Sequence, residues 1–229
     1  MLAVLDTSRD VKPQVQKIRE YYDSVDAGFL LEEMTLLLNG IEEGAIRTKE
    51  IVDGLKLFSR SDTDTFKHID VHSGLDATLT ILANKIKDRI EIQRNYTDLP
   101  VIECRPGKIN QVFMNILTNA IQAIENRYKN RKEDFKGQII ISTEETPCEI
   151  PGKGKGILIK IKDNGGGIPK EILSRIFDPF FTTKEVGEGT GLGLSISFGI
   201  IENHRGNIKV NSVEGEGTEF MITLPYKQS

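Results

Sequence analysis

Cysteine is scarce in this chain. There are two in 229 residues, and Cys104 and Cys148 stand far apart with no CxxC spacing. That excludes a disulfide framework and offers no zinc-ligand pattern, so both thiols are expected to be buried in a reducing cytosol. A dominant charge is also missing. The 30 basic and 34 acidic residues leave a net charge of −4, too weak a field to draw the chain onto nucleic acid or an anionic membrane. No apolar run approaches the ~20 residues of a membrane span. The N-terminus lacks the charged-then-apolar pattern of a secretory signal, and no internal repeat is present. The expected location is cytoplasmic, with no membrane contact within the chain, although a longer, membrane-anchored protein could end in such a piece.

What is present is the punctuation of a mixed α and β chain with room for one ordinary domain and a smaller element. Helices are expected at 11–23 and 29–60. In the second, Leu30, Met34, Leu37 and Ile41 follow a 4-3-4 spacing, which draws a narrow apolar seam along one side. Such a helix asks for a partner helix, as in a homodimer; packing on its own domain is the alternative. Ser59-Arg60-Ser61-Asp62 interrupts the pattern and divides the chain into 1–62 and 63–229. Beyond it, strands are expected at 68–71, 89–95, 138–143, 157–162, 207–211 and 219–224, and helices at 72–88, 106–128, 170–176 and 191–204. Pro106 suits a first helical turn. A Pro/Gly/Lys loop spans 147–156, and Glu214-Gly215-Glu216-Gly217 makes the last turn. This order fits an α+β fold, with helices on one side of a sheet that is at least partly antiparallel.

Three constellations carry chemistry. Asn115 and Asn119 lie four apart on one helix face. Their amide oxygens are hard ligands suited to Mg²⁺, or else two satisfied surface amides. Asp163-Asn164-Gly165-Gly166-Gly167-Ile168 follows a strand. Its carboxylate could accept a hydrogen bond from an exocyclic amine while glycines let a flat ring approach, or the run is a simple turn. Gly189-Thr190-Gly191-Leu192-Gly193-Leu194-Ser195 opens a helix whose bare N–H groups suit phosphate, with Lys184 upstream as a cation. Two other nucleotide motifs fail. There is no GxxxxGK[ST], and the glycines follow Phe-Phe-Thr-Thr-Lys rather than a strand.

The order of these motifs is more specific than any one of them. Asn-x₃-Asn, DNGGGI, IFDPFFTTK, GTGLGLSI and GEGTEFMITLP resemble the N, G1, F, G2 and G3 boxes of sensor histidine kinases. Those kinases belong to the GHKL superfamily, with gyrase, Hsp90 and MutL ATPase domains. The resemblance covers about residues 63–229, and GAIRTKEIVDGLKLFSR resembles the second helix of the dimerisation and phosphotransfer hairpin. It implies a GHKL-type α/β sandwich, a mixed, largely antiparallel sheet covered on one face by helices, preceded by a helical hairpin segment. It also implies an ATP-binding catalytic domain using Mg²⁺. Asp163 would receive the adenine amine between Gly165 and Gly167, and Thr218 would help through its hydroxyl. Asn119 and Asn115 would hold the metal, Asn115 near the phosphates. Lys184 would reach the phosphate chain, and Gly189, Thr190, Gly191, Leu192 and Gly193 would form the ATP lid. Phe177 and Phe180 would anchor the lid's base in the core.

One departure limits the resemblance. None of His68, His72 and His204 sits in a His-Glu/Asp motif followed by proline, so each is expected in a surface or capping role. The phosphate-accepting histidine is then expected outside this chain, which would act as part of a longer kinase and pass the group to a response regulator receiver domain. The alternative is a nucleotide-controlled regulatory module of the same superfamily without kinase activity. A gyrase- or MutL-type ATPase would carry a water-activating glutamate where Asn115 stands, so efficient hydrolysis is not expected.

Overall fold

The computed structural model describes residues 12–24, 27–59, 65–86, 89–130, 135–147, 154–184 and 189–228. The chain divides into two compact units between Gly54 and Leu55. The expected break at 60–62, most of the 147–156 loop with Cys148, and residues 185–188 of the lid lie outside the described residues.

The first unit is helical. Helix α1 spans Lys12–Ser24 and α2 spans Ala27–Ser59, the latter about 50 Å long at 1.5 Å per residue and running past the boundary of the unit at Gly54. Leu30, Met34, Leu37 and Ile41 are all exposed, and so are Phe29, Leu31, Leu36 and Leu38. The apolar surface of α2 is therefore wider than the single seam expected from the 4-3-4 spacing. Among the described residues no helix is long and apolar enough to cross a membrane.

The second unit is built on a five-stranded sheet. Its elements are β1 (Lys67–Ile69), α3 (Val71–Ile86), β2 (Ile90–Asn95), β3 (Ile102–Cys104), α4 (Pro106–Asn130), β4 (Gly137–Pro147), β5 (Lys155–Asp163), α5 (Lys170–Leu173), α6 (Gly193–Asn203), β6 (Asn207–Val213) and β7 (Gly217–Pro225). The sheet order is β2-β4-β5-β7-β6. Only β2 and β4 run parallel; the other three pairings are antiparallel. Strands β1 and β3 form a separate antiparallel pair. The sheet is thus mixed and largely antiparallel, as expected.

Period-two alternation sends one face of the sheet into the core. Ile139 and Ile141 of β4, Ile157, Ile159 and Ile161 of β5, and Phe220, Ile222 and Leu224 of β7 are buried. Helix α4 covers them with Ile109, Val112, Phe113, Ile116, Leu117, Ile121 and Ile124, all buried on its 3.6-residue face. Two expectations shift. Strand β3 was not foreseen, because Ile102-Glu103-Cys104 is too short to show alternation. Helix α6 begins at Gly193 rather than residue 191, since Gly191 sits at φ +67° in the left-handed region and cannot continue a right-handed helix.

Candidate functional site

The alternation that buries Ile157, Ile159 and Ile161 also buries the next residue in phase, Asp163, which is 4% exposed. A carboxylate on a core-facing strand position is costly unless hydrogen-bonded. Gly165 N–H donates to Asp163 Oδ1 at 2.8 Å, and the backbone N–H of Thr218, the cross-strand partner on β7, also serves it. Desolvation nevertheless outweighs these bonds and pushes the carboxyl up to about 6.

Thr218 is buried beside it. Ser212 Oγ donates to the Gly217 carbonyl at 2.9 Å, so its 2.9 Å contact with Thr218 Oγ1 consumes the threonine proton. Toward a ligand Thr218 can therefore accept but not donate.

The glycines after Asp163 serve different ends. A Cβ on Gly165 would lie 2.7 Å from Ala123 Cβ on α4, and one on Gly167 (φ +70°) would lie 2.1 Å from the Val213 carbonyl. Both are obligatory close approaches. Gly166 has open space on its side-chain position. Asn164 extends the ladder to β4: its Oδ1 accepts Gln138 N–H at 2.8 Å and its Nδ2 donates to the Lys136 carbonyl at 2.9 Å. The Gly215 N–H donates to the Gly166 carbonyl at 2.7 Å, tying this loop to the β6–β7 turn.

Helix α4 is the spine along which the other residues fall. Asn115, Asn119, Ala123 and Arg127 recur at four-residue spacing, so they follow one slowly drifting face. Asn115 Nδ2 donates to the Gly193 carbonyl at 2.9 Å and to Ser197 Oγ at 3.1 Å. A carbonyl only accepts, so these contacts fix the amide orientation and leave Oδ1 as the atom able to face a cation. Asn119 is half-buried. Lys184 Nζ donates to Gln122 Oε1, so in this structure the cation expected at the phosphates is held on α4. Gly189 packs against Lys184 and Thr182, and Gly191 against the Phe180 backbone, where a Cβ would come within 2.4 Å. Leu192 precedes α6 without a side-chain cap, and Thr190 Oγ1 accepts the Leu192 N–H at 3.4 Å. The first N–H groups of α6 thus stand next to Asn115.

Two amide oxygens are too few for a bare Mg²⁺, which completes its shell from phosphate and water. Among the described residues no group of three His, Cys, Asp or Glu could hold a metal ion. The donor set therefore fits a cation that arrives with a polyphosphate.

Phe180 does not anchor the lid's base: it is 70% exposed at φ 66°. Phe177, which packs on the core and on Phe198, and Phe181, under the Arg175 guanidinium, take that place. His204 is a cap, but not a surface cation. It is buried; Nε2 accepts the Arg105 N–H at 3.0 Å and Nδ1 donates to the Ile200 carbonyl at 2.7 Å, which specifies the neutral ring. His68 is exposed on β1, while His72 is half-buried against Tyr96 and Thr143. Cys104 is buried, its thiol pushed up to about 12 by burial.

Sequence reasoning missed Gln122, Ser197, Ser212 and Arg127. The last had a signal, since Arg127 continues the four-residue series from Asn115.

Comparison with known proteins agrees with this architecture. The family described as histidine kinase-, DNA gyrase B- and HSP90-like ATPase matches residues 104–228, and the chain belongs to that family. Sporulation kinase E of Bacillus subtilis is 33% identical over 199 residues, covering 86% of this chain and 25% of that protein. Sensor histidine kinase ZraS of Escherichia coli is 36% identical over 160 residues, 69% of this chain and 30% of that protein. The catalytic domain of histidine kinase ThkA, in a nucleotide-free form, superposes with a TM-score of 0.58 at 29% identity, covering 71% of this chain and 97% of that one. The chain is a histidine-kinase-type ATPase domain whose relatives are sensor kinases, and it spans about a third or less of the curated relatives' length.

Proposed function

We propose that this chain binds Mg·ATP and is the catalytic part of a two-component sensor histidine kinase. Its partners would be a histidine on a helical hairpin outside these residues and, after it, a response regulator receiver domain. The observation that carries the reading is the placement of Asp163. A buried carboxylate closes one end of a track along α4, and Asn115, Asn119 and the start of α6 close the other. From Asn115 to Ala123 the helix rises about 12 Å, a span suited to a base, a sugar and a phosphate chain laid end to end.

Asp163 would accept the exocyclic amine of adenine, which selects adenine over a base carrying a carbonyl there. Gly165 and Gly167 keep side chains off the ring. The unpaired N–H groups of α6 would take phosphate oxygens. Lys184 would exchange Gln122 for phosphate, a charge-assisted bond replacing a neutral acceptor. Asn119 and Asn115 would hold Mg²⁺ through their amide oxygens, and the cation would neutralise phosphate charge. Closure of the 189–193 segment would exclude water from the terminal phosphate. The chain itself would then supply positioning and electrostatics, while the nucleophile comes from the hairpin histidine. Association of two copies through α2 would bury its exposed apolar residues.

The test supplies a separately produced, histidine-bearing hairpin together with radiolabelled ATP. Acid-labile label on the hairpin supports the kinase reading. Mg·ATP uptake without transfer would instead favour a nucleotide-controlled regulatory module.

A further inference from the structure

The peptide joining Asn164 to Gly165 is gripped from both sides. Its carbonyl accepts Arg127 Nη1 at 2.7 Å, and its N–H donates to Asp163 Oδ1 at 2.8 Å. The two groups of a trans peptide point in opposite directions, so whatever fixes the carbonyl also aims the N–H. The same Nη1 lies 3.0 Å from the Gly165 carbonyl and 3.3 Å from that of Glu216. One guanidinium thus spans the loop after β5 and the turn before β7. It is held in place by the ring of Phe135, 4.6 Å away, and by its position in the last turn of α4, where a cation suits the helix dipole.

We propose that Arg127 is a positioning residue for adenine recognition, acting on Asp163 through the Asn164–Gly165 peptide and orienting the carboxylate toward the base. The inference rests on the adenine-binding reading of Asp163. A cation on the carbonyl polarises the peptide and strengthens the N–H bond at its other end, which favours the ionised acceptor form of the acid. Loss of the guanidinium alone, with the acid still buried, makes Asp163 harder to ionise. A merely structural role predicts the opposite. Loosened loops would hydrate the carboxylate and bring it down toward its ordinary range.

The experiment follows the Asp163 carboxyl by carbon NMR across pH in the nucleotide-free chain, in the parent and in Arg127→Met, with calorimetric ADP titrations alongside. The expected result is an upward move of the carboxyl midpoint in Arg127→Met. For a move of one unit, ADP affinity should fall about tenfold at a pH well below the parent midpoint. A midpoint that stays or moves down overturns the inference. Where Arg127→Met does not fold, a second uncharged variant, Arg127→Gln, is read against Arg127→Lys, which keeps the charge on a compact ammonium. An upward move in Arg127→Gln that Arg127→Lys reduces supports the inference, and no upward move in Arg127→Gln overturns it. If the parent takes up no ADP, the functional reading fails; the carboxyl titration needs no nucleotide and still decides whether Arg127 governs Asp163.

Discussion

Asn115 on α4 holds the first residue of α6: its Nδ2 donates to the Gly193 carbonyl at 2.9 Å. Asn119, one turn along, makes no comparable side-chain hydrogen bond among the described residues. Two amides of one type on one face therefore have different duties, and substitution separates them. Asn115→Asp places a carboxylate against a carbonyl and should cost about 1–3 kcal/mol of stability. Asn119→Ala should change stability by less than about 1 kcal/mol. Asn119→Ala should abolish the magnesium-dependent part of nucleotide affinity, whereas Asn115→Asp, which keeps a hard oxygen ligand, should retain it. Denaturant titration and calorimetry with and without a chelator measure the two effects.

Asp163 couples nucleotide binding and stability to pH in opposite senses. Its folded value of about 6 lies above the ordinary 3.8, so the folded state binds the proton more tightly than the unfolded chain. The associated stability is fully present below the ordinary value and is lost as pH rises through about 6. The nucleotide-free chain should therefore gain about 1 kcal/mol of stability on acidification from neutral pH to about 5, and about 3 kcal/mol in all once the pH lies below the ordinary carboxyl value. Nucleotide affinity should fall over the same range, because the protonated acid no longer accepts the amine. Thermal unfolding and calorimetry across pH test both slopes.

Gly166 and Gly167 make a matched pair. Gly167→Ala forces a methyl within 2.1 Å of the Val213 carbonyl at a φ of +70°, and should cost more than about 2 kcal/mol. Gly166→Ala enters open space and should keep the fold within about 1 kcal/mol. Comparable losses of thermal stability in the two variants would contradict this account of the loop.

None of the three histidines sits in a His-Glu/Asp motif followed by proline, and we propose that none accepts phosphate. His204 is locked between Arg105 and Ile200, and His72 is stacked on Tyr96. Incubation of the chain alone with Mg and radiolabelled ATP should leave no acid-labile label. His204→Leu, which removes the side-chain acceptor of the Arg105 N–H, should destabilise by about 1–3 kcal/mol.

The sheet and its covering helix were legible because isoleucine at every second position of β5 and at helical spacing in α4 reports burial directly. The chemistry-bearing residues were legible as types: a carboxylate ending a strand, amides four apart, glycines before a helix. Their orientations were not, because those depend on contacts between residues distant in sequence. Thr218 directs its hydroxyl hydrogen at Ser212 Oγ only once β6 and β7 pair. Lys184 meets Gln122 across 62 residues. Phe180 is outside the core because its backbone adopts the left-handed region, and composition carries no trace of that.

The most direct test of the central claim is isothermal calorimetry of the chain with ADP and Mg²⁺, beside Asp163→Asn. The parent should bind the adenine nucleotide, and more tightly with magnesium than without. Asp163→Asn should lose at least about tenfold in affinity while unfolding at a higher temperature at neutral pH, since the buried charge is gone. Equal affinity in the two proteins, or no uptake by the parent, would contradict the assignment of Asp163 as the base-reading acid.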